Sequence, residues 1–306
     1  MKLCRFNDNR LGVVRDDRLF DVSEALGLLP PLTWPAPHGD HLVRNIKRIA
    51  ARIEELLPTA LEVSLAHARM LSPVPNPSKI IAAPLNYSWH VAEAGLDPQI
   101  HAGTHCVSYD GYLTPIDKLG LFIKAGTSLV GPGEGIELVY PERRSDHEIE
   151  LVAVIGREAK NISEESALSH VMGYCIGLDM AVRGPEDRSF RKSPDTYTVI
   201  GPLLVSADEI AAPEELDFTL QVNGQVRQGG NTRDLTVGLS RLIAIAASCY
   251  TLYPGDLVMT GTPDGVAPVK SGDDLVATFS GLGELRTKVR SGVPSSGVHG
   301  QKAHSA

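Results

Sequence analysis

Asp146-His147-Glu148-Ile149-Glu150-Leu151-Val152-Ala153-Val154-Ile155-Gly156 is an apolar run of strand length that carries two carboxylates near its start. A second run, Gly173-Tyr174-Cys175-Ile176-Gly177-Leu178-Asp179, ends on a third acid. Side chains on a strand alternate faces, so the expected strand from Glu148 to Ile155 points Glu148 and Glu150 one way and His147, Ile149 and Leu151 the other. At a rise of roughly 3.3 Å per residue the two carboxylates sit about 7 Å apart along one face. Unpaired, they raise one another's pKa, and a divalent cation is the simplest reason for an apolar strand to keep both. The connection to the second run is long enough to hold a crossover helix. If the two strands are neighbours, Glu148, Glu150 and Asp179 converge on an oxygen-rich site suited to Mg²⁺ or Mn²⁺. The competing reading is a solvated strand face on which the two glutamates pair with Arg143, Arg144 or Arg157, because Glu-x-Glu alone is a weak motif.

Composition narrows what surrounds this pair. A chain of 306 residues with 42% apolar and 22% charged residues can bury a sizeable core. A formal charge of −8, with no basic stripe, argues against a nucleic-acid partner. The start, Met1-Lys2-Leu3-Cys4-Arg5-Phe6, has no apolar leader, and no later run approaches a membrane span, so a cytoplasmic protein without membrane contact is expected. Cys4, Cys106, Cys175 and Cys249 lie far apart without a Cys-x-x-Cys pair, which indicates reduced thiols.

Upstream of the acids, residues 1 to about 25 alternate around turns at Asn7-Asp8-Asn9-Arg10 and Asp16-Asp17 and predict a small β-meander. Pro30 to Pro37 reads as an exposed connector, and Leu42, Ile46, Ile49 and Ile53 form the stripe of a helix that Pro58 stops. Pro73-Val74-Pro75-Asn76-Pro77-Ser78 then reads as a hinge. The expected organisation is a small N-terminal α/β domain (1–75), a catalytic domain (76–290) and a disordered tail (291–306).

In the segment after the hinge, His90 and Glu93 share one helical face if that segment is helical, so Glu93 can orient His90 as a base; a chance pair on a surface helix is the alternative. Residues 95–118 read as a lid, and His101, His105 and Cys106 lack the second ligand pair of a zinc site. Arg183 lies four residues beyond Asp179 and keeps its face on an extended chain. Val222-Asn223-Gly224-Gln225-Val226 predicts a type I′ hairpin, and Leu235 to Cys249 a buried helix capped by Asn231 or Thr232. Pro254 to Pro263 is a strand entering a glycine turn where the Thr262 hydroxyl can approach a ligand, and a last hairpin runs from Ser271 to about Val289.

Taken in order, Leu85-Asn86-Tyr87 with His90 and Glu93, Glu148-x-Glu150, Gly173 to Asp179 with Arg183, Lys192-Ser193-x-Asp195-Thr196, Gly201-Pro202, Pro254-Gly255-Asp256 and Thr260-Gly261-Thr262-Pro263 resemble the fumarylacetoacetate hydrolase family over about Lys79 to Val289. The resemblance implies an α+β, β-rich fold with a mixed β-sandwich or roll, usually in a homodimer. It implies Mg²⁺ or Mn²⁺ on Glu148, Glu150 and Asp179, catalytic roles for His90, Glu93 and Lys192, and substrate contacts from Tyr87, Arg183 and Thr262. The activity implied is hydrolysis of a carbon–carbon bond in an acylpyruvate, a small anionic 2,4-dioxo acid, through a metal-stabilised pyruvate enolate in aromatic catabolism. Decarboxylation or isomerisation of a 2-oxo dicarboxylic acid shares that enolate, and a non-catalytic ligand-binding scaffold is the reading from another class. Glu186 stands where many members carry glutamine, and the segment after Glu93 is longer than in compact members.

Overall fold

The computed structural model describes residues 1–88 and 113–293. The chain opens with β1 (Lys2–Phe6), β2 (Arg10–Arg15) and β3 (Arg18–Asp21). Asn7, Asn9, Asp16 and Asp17 all take positive φ, the conformation that Asn and Asp tolerate best among non-glycine residues, so the expected meander forms at the expected turns. The helical stripe forms as α1 (His41–Arg44) and α2 (Ile46–Leu56), divided at Asn45, with Asp40 accepting from Leu42 N and Val43 N as the first cap. Short strands β4 (Leu61–Val63) and β5 (Met70–Leu71) complete the N-terminal part.

The middle of the chain supplies β6 (Ile80–Ala82), α3 (Pro115–Leu119), β7 (Phe122–Lys124), β8 (Leu129–Val130) and β9 (Ile136–Leu138). The acidic stretch follows as β10 (Ser145–His147) and β11 (Ile149–Ile155), with Glu148 at the joint between them. A short α4 (Glu164–Ala167) leads to β12 (Val171–Asp179), β13 (Ala181–Val182), α5 (Arg188–Lys192) and β14 (Thr198–Ser206). Strands β15 (Asp217–Val222) and β16 (Gln225–Asn231) precede the buried α6 (Leu239–Cys249). The chain then forms β17 (Leu257–Met259), β18 (Ala267–Pro268), β19 (Asp274–Phe279) and β20 (Gly283–Ser291).

Among the described residues the main sheet has twelve strands, in the order β4-β3-β2-β1-β14-β12-β11-β17-β6-β7, with β5 on β1 and β8 on β14. A five-stranded sheet, β16-β15-β19-β20-β9, packs on one of its faces, and β13-β10-β18 form a three-stranded patch at the site. Three expectations change here. The hinge at 73–78 does not separate two sheets, because β1 pairs antiparallel with β14 (Leu3↔Leu204) and extends the main sheet into residues 1–75. Strands β11 and β12 are antiparallel neighbours (Ile149↔Leu178) rather than a crossover pair; the connection carries a short helix but returns on the adjacent position. Asn231 closes a 3-10 turn at Thr232–Asp234 by accepting from Arg233 N, so the buried helix starts only at Leu239, after Gly238.

Of the expected tail, Ser291 is the last residue of β20, and residues 294–306 lie outside the described residues. No helix among the described residues is long and apolar enough to cross a membrane.

Period two sorts the main sheet into two cores. Ile149, Leu151, Ala153 and Ile155 of β11, with Ile176 and Leu178 of β12, join the core shared with α6 and the five-stranded sheet. Val152 and Val154, with Cys175, join the opposite core, which takes in Ile49 and Ile53 of α2. Glu148, Glu150 and Asp179 continue that second face by alternation.

Candidate metal centre

Antiparallel pairing brings the three acids together. Asp179 N donates to Glu148 O at 2.8 Å, which sets the two residues opposite each other across β11 and β12, and Glu150 lies one strand period on. One oxygen from each of Glu148, Glu150 and Asp179 falls within 4.8 Å of the others. All three are buried, at 6%, 2% and 1% exposure, so the solvated-face reading fails. Its proposed partners are engaged elsewhere as well: Arg143 with Glu186, Arg144 with Asp146, and Arg157 with Ser169.

Three buried cations meet these acids. Lys192 Nζ, at the end of α5, donates to Glu148 Oε2 at 2.6 Å and to Asp179 Oδ2 at 2.7 Å. Arg183 donates through Nη2 to Glu148 Oε1 at 3.1 Å and through Nε to Asp146 Oδ2 at 2.8 Å. Lys124, which sequence reasoning missed, has a fully buried ammonium on Asp179 Oδ1 and on Tyr197 O, the latter at 2.8 Å. In the sheet order β7 and β12 are four strands apart, about 19 Å if the sheet were flat. A lysine side chain spans about a third of that, so the sheet must curl strongly to close the gap. The four residues between β7 and β8, which pairs with β14, are the return of that curl. Burial lowers the Lys124 pKa against the opposing pull of Asp179.

Glu150 is the acid most in need of a cation. Burial, then the charge of Asp179, raises its pKa well above the carboxylate range. Its Oε2 accepts from Gly261 N at 2.7 Å, and its other oxygen has no hydrogen bond among the described residues. Clustered carboxylate oxygens with one donor position open are the hard, oxygen-only set that Mg²⁺ and Mn²⁺ prefer, and on this observation the residues fit such an ion.

The remaining site candidates divide. Thr262 is buried in the turn after β17, where Gly261 takes φ of +94°, next to Glu150. Tyr87 is buried edge-on against Phe218, centroids 6.2 Å apart. Burial raises its pKa. Glu186 does not leave an acidic pocket wall, since its carboxylate takes both Nη atoms of Arg143 at 2.9 and 2.7 Å. His90 and Glu93, residues 95–112 of the lid expected over 95–118, and His101, His105 and Cys106 lie outside the described residues; the last residues of that expected lid run into α3. Asp146, shared by Arg144 Nε and Arg183 Nε, was also missed; no spacing rule marks an acid that serves two arginines.

A family model described as fumarylacetoacetate (FAA) hydrolase, C-terminal, matches residues 79–290. The chain belongs to the fumarylacetoacetate hydrolase family. Within the family it is 50% identical over 291 residues to a maleylpyruvate hydrolase of Aquipseudomonas alcaligenes, covering 95% of this chain and 100% of that one. A solved maleylpyruvate hydrolase from Sphingobium sp. SYK-6, in complex with manganese(II) and pyruvate, is 36% identical with a TM-score of 0.79, covering 96% of this chain and all of the other. A 5-carboxymethyl-2-hydroxymuconate delta-isomerase from Mycobacterium smegmatis is 26% identical with a TM-score of 0.69, again over 96% and 100%. The α+β, β-rich architecture is that of the family.

Proposed function

We propose that this chain is a divalent-metal-dependent hydrolase that cleaves the carbon–carbon bond of an acylpyruvate, and that maleylpyruvate is its substrate. The observation that carries the reading is the buried cluster of Glu148, Glu150 and Asp179, with Lys192 and Arg183 on its rim, in a chain half identical to a maleylpyruvate hydrolase. When bound, Mg²⁺ or Mn²⁺ supplies Lewis-acid charge for an anionic 2-oxo acid.

The chain's own residues do the rest. Lys192 and Arg183 present an ammonium and a guanidinium to the 2-oxo carboxylate end, where negative charge grows as the bond breaks. Water adds to the 4-carbonyl carbon, the bond between carbons 3 and 4 breaks, and its electron pair passes to the pyruvate fragment, which takes up a proton at carbon 3. The products are pyruvate and the acid of the acyl group, maleate for maleylpyruvate. His90, oriented by Glu93, is assigned the proton of the attacking water. Tyr87 and Thr262 are assigned substrate contacts, supported by their burial beside the acids. Aromatic catabolism in the cytoplasm, as a homodimer, completes the reading, and sedimentation velocity tests the assembly.

The deciding experiment gives purified protein Mn²⁺ and maleylpyruvate, oxaloacetate or 5-carboxymethyl-2-hydroxymuconate, following pyruvate, CO₂ and diene absorbance separately. Pyruvate with one equivalent of maleate is the expected result. Release of CO₂ with pyruvate from oxaloacetate, without maleate from maleylpyruvate, transfers the chain to decarboxylation, and an absorbance shift without pyruvate transfers it to isomerisation, the reaction the Mycobacterium smegmatis relative is named for.

A further inference from the structure

Gln228 is buried in β16, on the five-stranded sheet, yet its side-chain hydrogen bonds all reach residues beside the metal acids. Its Oε1 accepts from Ile149 N, the backbone amide between Glu148 and Glu150, at 3.1 Å. His147 Nδ1 lies 3.1 Å from the same oxygen. Its Nε2 meets Pro263 O at 3.0 Å, Asp264 O at 3.4 Å and Thr262 Oγ1 at 2.9 Å.

The backbone partners fix which end of the amide is which. An amide N–H needs an oxygen and a carbonyl needs an N–H, so Ile149 N takes Oε1 and Pro263 O takes Nε2. Nε2 has no lone pair to offer, and Thr262 Oγ1 must therefore accept from it. The Thr262 hydroxyl proton is then left to point elsewhere, and it has no acceptor among the described residues. The turn that carries it is fastened to the acid cluster by Gly261 N on Glu150 Oε2. It is also pressed against β16: a Cβ on Gly265 would lie 2.1 Å from Arg227 O.

From this geometry we infer that Gln228 is a positioning residue: it holds the Thr262 side chain as an acceptor on one side, so that its O–H is aimed as a donor at the 2-oxo acid. One amide thereby couples three parts that are distant in sequence, the strand start at Ile149, the turn at Thr262 and the second sheet. A hydroxyl free to rotate would spend part of its time donating back into the protein; one whose lone pair is occupied donates outward. The inference rests on the hydrolase reading for the identity of the ligand and on the hydrogen bonds above for the direction of the proton.

The test is a double-mutant cycle of Gln228→Met and Thr262→Val in Mn²⁺-loaded protein, with kcat and KM read on the acylpyruvate the wild type turns over. Each single change is expected to lower kcat roughly tenfold, the loss of one aimed hydrogen bond, with a smaller change in KM. The double variant should fall no further than the worse single one, and Thr262→Ser, which keeps the hydroxyl, should lose less kcat than Thr262→Val. Losses that multiply in the double variant, or a Gln228→Met protein with a lowered melting midpoint and an unchanged kcat, overturn the inference. If no Gln228 variant folds, the wild-type structure with Mn²⁺ and oxalate decides. Thr262 Oγ1 about 3 Å from an oxalate oxygen, with Gln228 still on it, supports the assignment, and a separation of roughly 4 Å or more refutes it. Should the wild type hydrolyse no 2,4-dioxo acid, the function proposed above fails, and the same oxalate complex still decides the role of Gln228.

Discussion

One face of one sheet carries two opposite chemistries. Towards the middle of β11 and β12 it presents Val152, Val154 and Cys175, joined by Leu257 and Met259 and covered by Ile49 and Ile53 of α2. A few residues along, on the same face, it presents Glu148, Glu150 and Asp179 to Lys124, Lys192 and Arg183. Burial of each large apolar side chain contributes about 1.5–3 kcal/mol to folding. Ion pairs taken out of water return little, because desolvation of both partners offsets their attraction. The apolar end therefore governs stability and the ionic end governs chemistry, although the same strands build both.

The sharpest way to break that division is Asp179→Asn. It removes one of three clustered acids and the counter-ion of two buried lysines. Steady-state turnover with Mn²⁺ should fall by about 1,000-fold or more, since the ion's charge is worth several kcal/mol in the transition state. Chemical denaturation should also show a loss of about 3 kcal/mol, as Lys124 is left buried without its partner carboxylate. A variant that keeps most of its turnover removes Asp179 from the centre. Ile53→Ala probes the other end. The expected cost is about 2–5 kcal/mol of stability from the cavity under α2, with kcat unchanged at temperatures where the protein stays folded. A tenfold fall in kcat there would show that the two ends are not separable.

How much of this was readable before the fold was known follows from which signals are local. Alternation placed Glu148 and Glu150 on one face, Asp179 joined them on the condition that its strand is a neighbour, and the Asn-Gly at 223–224 marked a hairpin whose two residues both take positive φ. Strand direction was not readable, because period two is the same for parallel and antiparallel pairs. Lys124 escaped notice because its approach to Asp179 comes from the curl of the whole sheet, which no window of residues encodes. Gln228 looked like one more polar residue on a hairpin strand, and only the packing of one sheet on another gives its amide five partners. The Pro-rich stretch at 73–78 suggested a hinge for a sound local reason, but β1 bonds to β14 across some two hundred residues of sequence.

Metal loading sharpens the contrast from the ionic side. Saturation at about 100 times Kd should stabilise the protein by about 2.7 kcal/mol over the EDTA-treated form, and the melting midpoint should rise accordingly. The shift should vanish in Asp179→Asn and persist in Ile53→Ala. An equal shift in all three proteins would place the ion somewhere other than the acids.

The smallest effect belongs to the apolar end of the sheet and concerns pH. Cys4 lies in β1 opposite Gly12, packed with Phe6 and Leu19. Burial pushes its thiol from 9.0 up to about 12. Above pH 9.0 the unfolded chain releases this proton while the folded chain keeps it until about pH 12, so rising pH draws the protein towards unfolding. The stability that the neutral thiol contributes is complete below pH 9.0 and is lost through that window, at about 1.4 kcal/mol per pH unit in its middle. Other groups titrate there too, including the buried Tyr174, raised from 10.0 to about 12, so the slope of the wild type alone is not diagnostic. The difference between wild type and Cys4→Ala is. The cavity left by alanine shifts the whole curve by a constant, whereas the loss of the thiol flattens it above pH 9.0. Denaturant midpoints at pH 8, 9.5 and 10.5 should converge by about 1–2 kcal/mol across that range. Parallel curves would mean that Cys4 ionises as readily folded as unfolded, and that water reaches the strand pair next to the meander.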